Sequence, residues 1–262
     1  MRSTILRLFR PRPEPDEPEP ERQLANAEAS EAEQPSVDRE AFEELRVGFT
    51  AAVSHELRTP LARVLALLDT ALLPDSDPRL LVEQAREEVE QMGVLIDEVL
   101  FLSELERGGE IVGLGATRAL PILQEVAKAL EEQAARAGVT LAVDGDEQVT
   151  LPLRPRMIRI VAENLAENAV RYAGLGAQAV LSVRRESGTV TLAVADDGVG
   201  VAEEELERLF ERFYRSDRAR ASRGTGLGLA IVKHVVTSAG GRVEASGKRG
   251  AGLTIRCVFT SP

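Results

Sequence analysis

Residues 54–61 read Ser-His-Glu-Leu-Arg-Thr-Pro-Leu. The octet holds His55, one of only two histidines in the chain. Around it Leu57, Leu61, Val64 and Leu68 recur at helical spacing, which predicts a helix with a buried stripe. Pro60 within such a helix lacks the amide that would bond the carbonyl of Glu56, a cost of about 3 kcal/mol. Thr59 falls one turn after His55 on the same face. Side chains at adjacent positions diverge around a helix, so Glu56 has to reach across to approach the His55 ring. A costly proline beside an imidazole, a carboxylate and a hydroxyl points to a reaction centre.

Working outward, the apolar pattern runs from about 38 to 107 as two helices. The first ends near Leu73, Pro74-Asp-Ser-Asp-Pro78 supplies a turn, and the second covers about Arg79 to Arg107. Ala85, Val89, Met92, Ile96 and Val99 keep a 3–4 spacing in the second helix. Two long helices joined by a short turn form an antiparallel hairpin. A hairpin alone cannot bury both stripes, so pairing with a second copy into a four-helix bundle is expected, with packing on the downstream domain as the alternative.

Upstream, residues 11–36 carry Pro11, Pro13, Pro15, Pro18, Pro20 and Pro35 among many glutamates, a composition that predicts a self-repelling disordered leader. Residues 1–10 mix Arg with Ile, Leu and Phe, but ten residues make at most a weak membrane contact. No run reaches the roughly 18 apolar residues of a membrane span, and a soluble, cytoplasmic protein is expected. A formal net charge of −11 argues against nucleic acid as partner. The single Cys257 excludes an internal disulfide and sits in a strand-like run where a buried thiol is expected.

Downstream, Gly108, Gly109, Gly113 and Gly115 mark a boundary. Beyond it come a helix near 119–137, alternating strands near 139–151 and a helix near 154–173. Strands at 179–185 and 189–195, a polar region, a helix at about 227–239 and two last strands follow. The pattern predicts one sheet covered by helices. The domains expected are a leader over 1–36, a helical hairpin over 37–108 and an α/β domain over 109–262.

Four motifs in that last domain carry chemistry. Asn164, Asn168 and Tyr172 are spaced by four with Arg171 beside them, so all share one flank of a helix. Asparagine is a poor helix former, which favours ligand contact, although solvated asparagines fit the same spacing. The strand ending Asp196-Asp-Gly198-Val-Gly200 offers a carboxylate where a ligand can approach the backbone, and also reads as an ordinary turn. Gly224-Thr225-Gly226-Leu227-Gly228-Leu229 leads into a helix whose first amides can bind phosphate, and a flexible linker is the plainer reading. Leu209 to Arg215 concentrates Phe210, Phe213 and Tyr214 ahead of the charged stretch 216–223, as in a lid with an aromatic anchor or simply a core segment.

Together, and in this order, the five motifs resemble the sensor histidine kinases of bacterial two-component signalling over roughly residues 40–260. The octet resembles the family's H-box, Asn164 to Tyr172 its N-box, Asp196 to Gly200 its first glycine box, Leu209 to Arg215 its F-box, and Gly224 to Leu229 its second glycine box. The resemblance implies a dimeric four-helix bundle followed by an α/β-sandwich ATP-binding domain of Bergerat type with a mixed sheet. It further implies ATP and Mg²⁺ as cofactors, with Asn168 on the metal and Asn164 and Arg171 holding that cluster. Tyr172 would line the adenine side, and Asp196 would accept from the adenine amine, with Gly198 and Gly200 beside it. Gly224, Thr225, Gly226, Leu227, Gly228 and Leu229 would bring lid and helix to the phosphates, with Phe210 and Phe213 docking the lid near the hairpin.

By the same resemblance His55 attacks the γ-phosphorus, Glu56 accepts or orients the proton on its other ring nitrogen, and Thr59 positions water for a reverse phosphatase step. The phosphoryl group would pass to an aspartate of a response regulator receiver domain. The chain departs from the pattern in three places. Only a 36-residue leader precedes the catalytic core where a sensor region is usual, Leu153-Arg-Pro-Arg-Met-Ile stands where an Asp-x-x-Arg-Leu-like lead-in is frequent, and the end reads Ser261-Pro262. Other ATPases on the same nucleotide fold lack the octet and the aromatic motif. The remaining alternative is an ATP-binding regulator or phosphatase that does not phosphorylate itself.

Overall fold

The computed structural model describes residues 50–107, 115–216 and 224–260. The expected leader, the first part of the first helix, most of the boundary glycines, the charged stretch 217–223 and the last two residues lie outside them. Helix α1 is helical from 50 to 71, and Pro60 does not interrupt it. Helix α2 spans Pro78–Glu106. Asp77 caps α2, its carboxylate accepting from the amides of Arg79 at 3.1 Å and Leu80 at 3.2 Å. Pro78 occupies the first turn, where its missing amide costs nothing.

The hairpin stripe is only partly covered within one chain. Leu57 and Val64 are half-buried, while Leu61, Leu65 and Leu68 stay 49%, 56% and 43% exposed. On α2 the buried positions are Ala85, Glu88, Leu95, Leu102 and Leu105, whereas Val89 and Ile96 of the expected stripe are exposed. Each helix thus carries more apolar surface than one partner helix covers. Glu88 is buried and meets Arg63 of α1 at 3.7 Å, which ties the two helices in register.

The second domain begins with the short strand β1, Thr117–Arg118, paired antiparallel to β3, Thr150–Leu151. The helix expected near 119–137 is two helices, α3 at Leu120–Ala129 and α4 at Glu131–Ala137, broken at Leu130. Leu130 is buried, and it leaves helical geometry with ψ near 0°. Side-chain periodicity survives such a break, which is why the pattern reads as one helix. Strand β2, Thr140–Gly145, precedes α5, Pro155–Tyr172. Strands β4, Gln178–Glu186, and β5, Thr189–Asp196, form a hairpin through Ser187 and Gly188, both at positive φ. Helix α6, Gly228–Ser238, then leads to β6, Arg242–Gly247, and β7, Leu253–Thr260.

The sheet order is β2-β4-β5-β7-β6. Only β2 and β4 run parallel, and the crossover between them is α5, as parallel neighbours demand. Ala179, Leu181 and Val183 of β4, Val190, Leu192 and Val194 of β5, and Ile255, Cys257 and Phe259 of β7 are buried at alternate positions. Against that face pack α3, α5 and α6. The arrangement is a two-layer α/β sandwich, and the register that pairs Asp196 with Leu253 brings the ends of β5 and β7 together beneath α5 and α6.

Candidate functional site

Helix α5 buries Ile158, Val161, Leu165 and Ala169 in the core, which turns its polar flank toward the ends of β5 and β7. A cavity of about 320 Å³ opens there. Asn164, Asn168, Arg171 and Tyr172 line it, so the flank read from the sequence faces one space. Asp196, Gly200, Gly224, Thr225, Gly226, Gly228 and Leu229 line it as well. Gly198, Phe210, Phe213 and Leu227 do not. Gly198 is pressed against the backbone of Ala173, Phe210 and Leu227 are buried, and Phe213 is half-buried at φ +60°.

The cavity lining is chemically mixed. Leu165, Val194, Val199, Leu253 and Ile255 supply apolar surface, and the carboxylate of Asp196 belongs to the same lining. Asp196 Oδ1 accepts from the Gly198 amide at 2.9 Å. Burial pushes the Asp196 carboxyl above the usual carboxylate range, opposed by backbone hydrogen bonds from Gly198 and Leu253. The lining also holds Asn168, Arg171, Thr225, the carboxylates of Glu98 and Glu167 and the start of α6, whose first amides lack intrahelical partners.

Asn164 is a spacer there. Its Nδ2 donates to the Ile160 carbonyl at 2.8 Å, and its Oδ1 lies where a Cβ on residue 228 would have to sit. Gly228 therefore lets α6 begin in contact with α5. Gly226 takes φ +72°, and its carbonyl accepts from the Phe213 amide at 3.0 Å, which ties the aromatic motif to the glycine motif. Tyr214 is held by Glu205 at 3.1 Å and by Arg208, whose guanidinium carbon stacks 4.3 Å from the ring centre. Within the aromatic motif Arg212 is ion-paired with Glu106 of α2.

The cavity has the volume of a small-molecule site, about 300–1,000 Å³. Its apolar side chains, the half-buried Asp196 acceptor, the Arg171 guanidinium and the helix-start amides suit a nucleoside polyphosphate. Among the described residues no group of three or more His, Cys, Asp and Glu side chains could hold a metal ion. The Asn168 amide in the cavity lining is a suitable oxygen donor.

His55 projects from α1, its side chain 76% exposed, with Nδ1 3.7 Å from Glu56 Oε1. Glu56 thus does reach across to its neighbour, at ion-pair range, leaving Nε2 open. The Thr59 hydroxyl donates to the His55 carbonyl at 3.5 Å, the long limit of a hydrogen bond. His234 lies on α6 outside the cavity lining. Several cavity residues lie outside the sequence motifs, among them Glu205, Arg249 and Glu98 of α2, and Glu98 comes from the hairpin. It reads as one more acidic position on an amphipathic helix, and only the packing of that helix against α6 brings it to the site. No described helix is long and apolar enough to cross a membrane.

Comparison with known proteins agrees with this geometry. The family described as "His Kinase A (phospho-acceptor) domain" matches residues 45–108. That described as "Histidine kinase-, DNA gyrase B-, and HSP90-like ATPase" matches residues 154–262. The chain is 34% identical over 223 residues to the sensor-like histidine kinase SenX3 of Mycobacterium tuberculosis H37Rv, covering 83% of this chain and 54% of that protein. To the phosphate regulon sensor protein PhoR of Pseudomonas aeruginosa it is 36% identical over 227 residues, covering 83% and 51%. The crystal structure of full-length ShkA in complex with AMPPNP superposes with a TM-score of 0.59 at 28% identity, over 81% of this chain and 46% of that one. The chain spans about half the length of the curated relatives it matches. With a phospho-acceptor hairpin and an ATPase domain joined in one polypeptide, the chain belongs to the bacterial two-component sensor histidine kinases.

Proposed function

We propose that the chain is an ATP-dependent protein histidine kinase that phosphorylates itself on His55 and passes the phosphoryl group to an aspartate of a response regulator. The observation that carries the reading is the presence, in one chain, of an exposed imidazole beside a carboxylate and of a cavity lined by apolar side chains, the Asp196 carboxylate, Asn168, Arg171 and the start of α6. In that cavity Asp196 accepts from the exocyclic amine of adenine while Leu165, Val194 and Ile255 cover the ring. Arg171, Thr225 and the first amides of α6 receive the phosphates, and Gly224 and Gly226 let the backbone come close. Asn164 keeps α6 at the right height above α5. Asn168 holds Mg²⁺, which when bound neutralises charge on the phosphates.

Histidine is a nucleophile in its neutral form. His55 Nε2 forms a bond to the γ-phosphorus as the bond from that phosphorus to the bridging oxygen breaks, and ADP leaves with the electron pair. The proton on Nδ1 is oriented and accepted by Glu56. Little covalent work falls to the protein, and placement and charge neutralisation dominate. The phosphoryl group then moves from nitrogen to the carboxylate oxygen of the regulator's aspartate. Thr59, beside the acceptor, positions water for the reverse step. The working unit is a homodimer in which the exposed leucines of α1 and valines of α2 meet their copies, with the hairpin module over 37–108 and the ATPase module over 109–262. A cytoplasmic setting fits the ATP requirement.

The test is incubation of purified protein with γ-labelled ATP and Mg²⁺. The expected product is an acid-labile, base-stable label that His55→Gln and Asn168→Ala abolish. Label retained in His55→Gln would place the acceptor elsewhere. Tight nucleotide binding without any label would favour a non-phosphorylating regulator.

A further inference from the structure

Glu98 lies on the hairpin yet lines the nucleotide cavity of the other module. The Thr225 hydroxyl bonds its carboxylate, Arg171 attracts it, and Glu167 repels it. Its Oε2 is buried without a hydrogen-bond partner among the described residues. A half-satisfied carboxylate in such a place is costly, and burial holds it above the ordinary carboxylate range. Two further contacts brace the same face of α2. The Arg156 guanidinium carbon stands 5.7 Å from the centre of the Phe101 ring, and Glu106 pairs with Arg212. Positions 98, 101 and 106 fall within about two and a quarter turns of one helix.

An anion in this position stands beside Arg171 and Thr225, which receive phosphate in the proposed reaction. We propose that Glu98 is a tethered stand-in for nucleotide phosphate, so that docking of α2 on the ATPase domain and occupation of the phosphate site exclude one another, and nucleotide binding releases the hairpin. This rests on the nucleotide reading of the cavity. The docked chain is closed to ATP, and the nucleotide that must be carried to His55 is also what frees the domain to carry it. A ligand that binds only the released form has its apparent affinity reduced by the fraction of chain in that form. Removing the latch restores that fraction.

Three full-length proteins distinguish the possibilities, namely wild type, Glu98→Gln and Arg212→Ala, with circular dichroism to verify folding. The readout is the dissociation constant of a fluorescent ATP analogue with Mg²⁺. Arg212 lies outside the cavity, so its variant loosens docking without altering the charge met by phosphate. Both variants are expected to bind at least about threefold tighter than wild type. Weaker binding in Glu98→Gln would make Glu98 part of the metal-nucleotide site and overturn the latch. Unchanged binding would overturn it too. Tightening in Glu98→Gln alone would reduce the effect to local repulsion and refute the link to docking. Wild type and both variants all failing to bind would sink the nucleotide reading itself, a result distinct from each of these.

Discussion

Gly228→Ala tests the contact between α5 and α6 that shapes the proposed phosphate site. Gly228 is not at positive φ, so alanine fits the backbone and gains up to about 1 kcal/mol of helix propensity. The added Cβ lands on Asn164 Oδ1. That oxygen escapes only by turning the amide, which strains its rotamer by about 0.5–1.5 kcal/mol. Turning also loosens the 2.8 Å bond from Nδ2 to Ile160, a net loss of about 0.5–1.5 kcal/mol. The gain offsets part of the loss, so the melting temperature should fall by about 0–8 °C, the equivalent of about 0–2 kcal/mol for a domain of this size. Nucleotide affinity should fall further, by about tenfold or more, since a displaced α6 start costs at least one phosphate contact of about 1.4 kcal/mol. Calorimetric titration with an ATP analogue, beside thermal melts, reads both quantities. The decisive comparison is a double-mutant cycle with Asn164→Ala. With the obstructing amide gone, Gly228→Ala should retain only its propensity gain, giving a coupling of about 1–3 kcal/mol. Strictly additive losses would refute the steric reasoning.

The Glu98 carboxyl, raised by burial, gives a pH signature. A carboxyl raised on folding adds stability that is full below its unfolded value, near 4.5, and is lost as pH rises through its higher folded value. Glu98→Gln should therefore melt higher than wild type at pH 7–8, with the gap closing as pH falls toward 4.5; a constant gap would contradict it. Burial pushes the Cys257 thiol up to about 12, so it should resist a thiol reagent in the native protein and react fully in denaturant. Leu65→Arg, at a position 56% exposed on α1, should shift the protein from dimer to monomer in sedimentation. An unchanged sedimentation coefficient would place the dimer contact elsewhere.

The sequence made the polar flank of α5 legible because a helix fixes which of its residues share a side. Asn164, Asn168, Arg171 and Tyr172 needed no tertiary information to be grouped. The strands were legible for the same reason, through alternation at Val190, Leu192 and Val194. The break at Leu130 was not, since an apolar residue can keep its phase while its backbone leaves the helix. Nor were the exclusions from the cavity lining. Whether Leu227 faces a ligand or the core depends on how α6 rolls on its neighbours. Glu98 was invisible because its role arises from a contact between modules, and periodicity along α2 holds no record of what docks there.

The ion pair between Arg63 and Glu88 acts as an alignment pin for the hairpin. In an antiparallel pair, a residue counted back along one helix is matched by one counted forward along the other. Eight positions before Arg63 is His55, and ten after Glu88 is Glu98, which leaves the two only about 3 Å apart along the bundle axis at 1.5 Å per residue. The His55 ring and the cavity residue Glu98 therefore already share one altitude on the rod. In the proposed reaction, delivery of phosphorus calls for an orbit around the hairpin, with almost no climb along it.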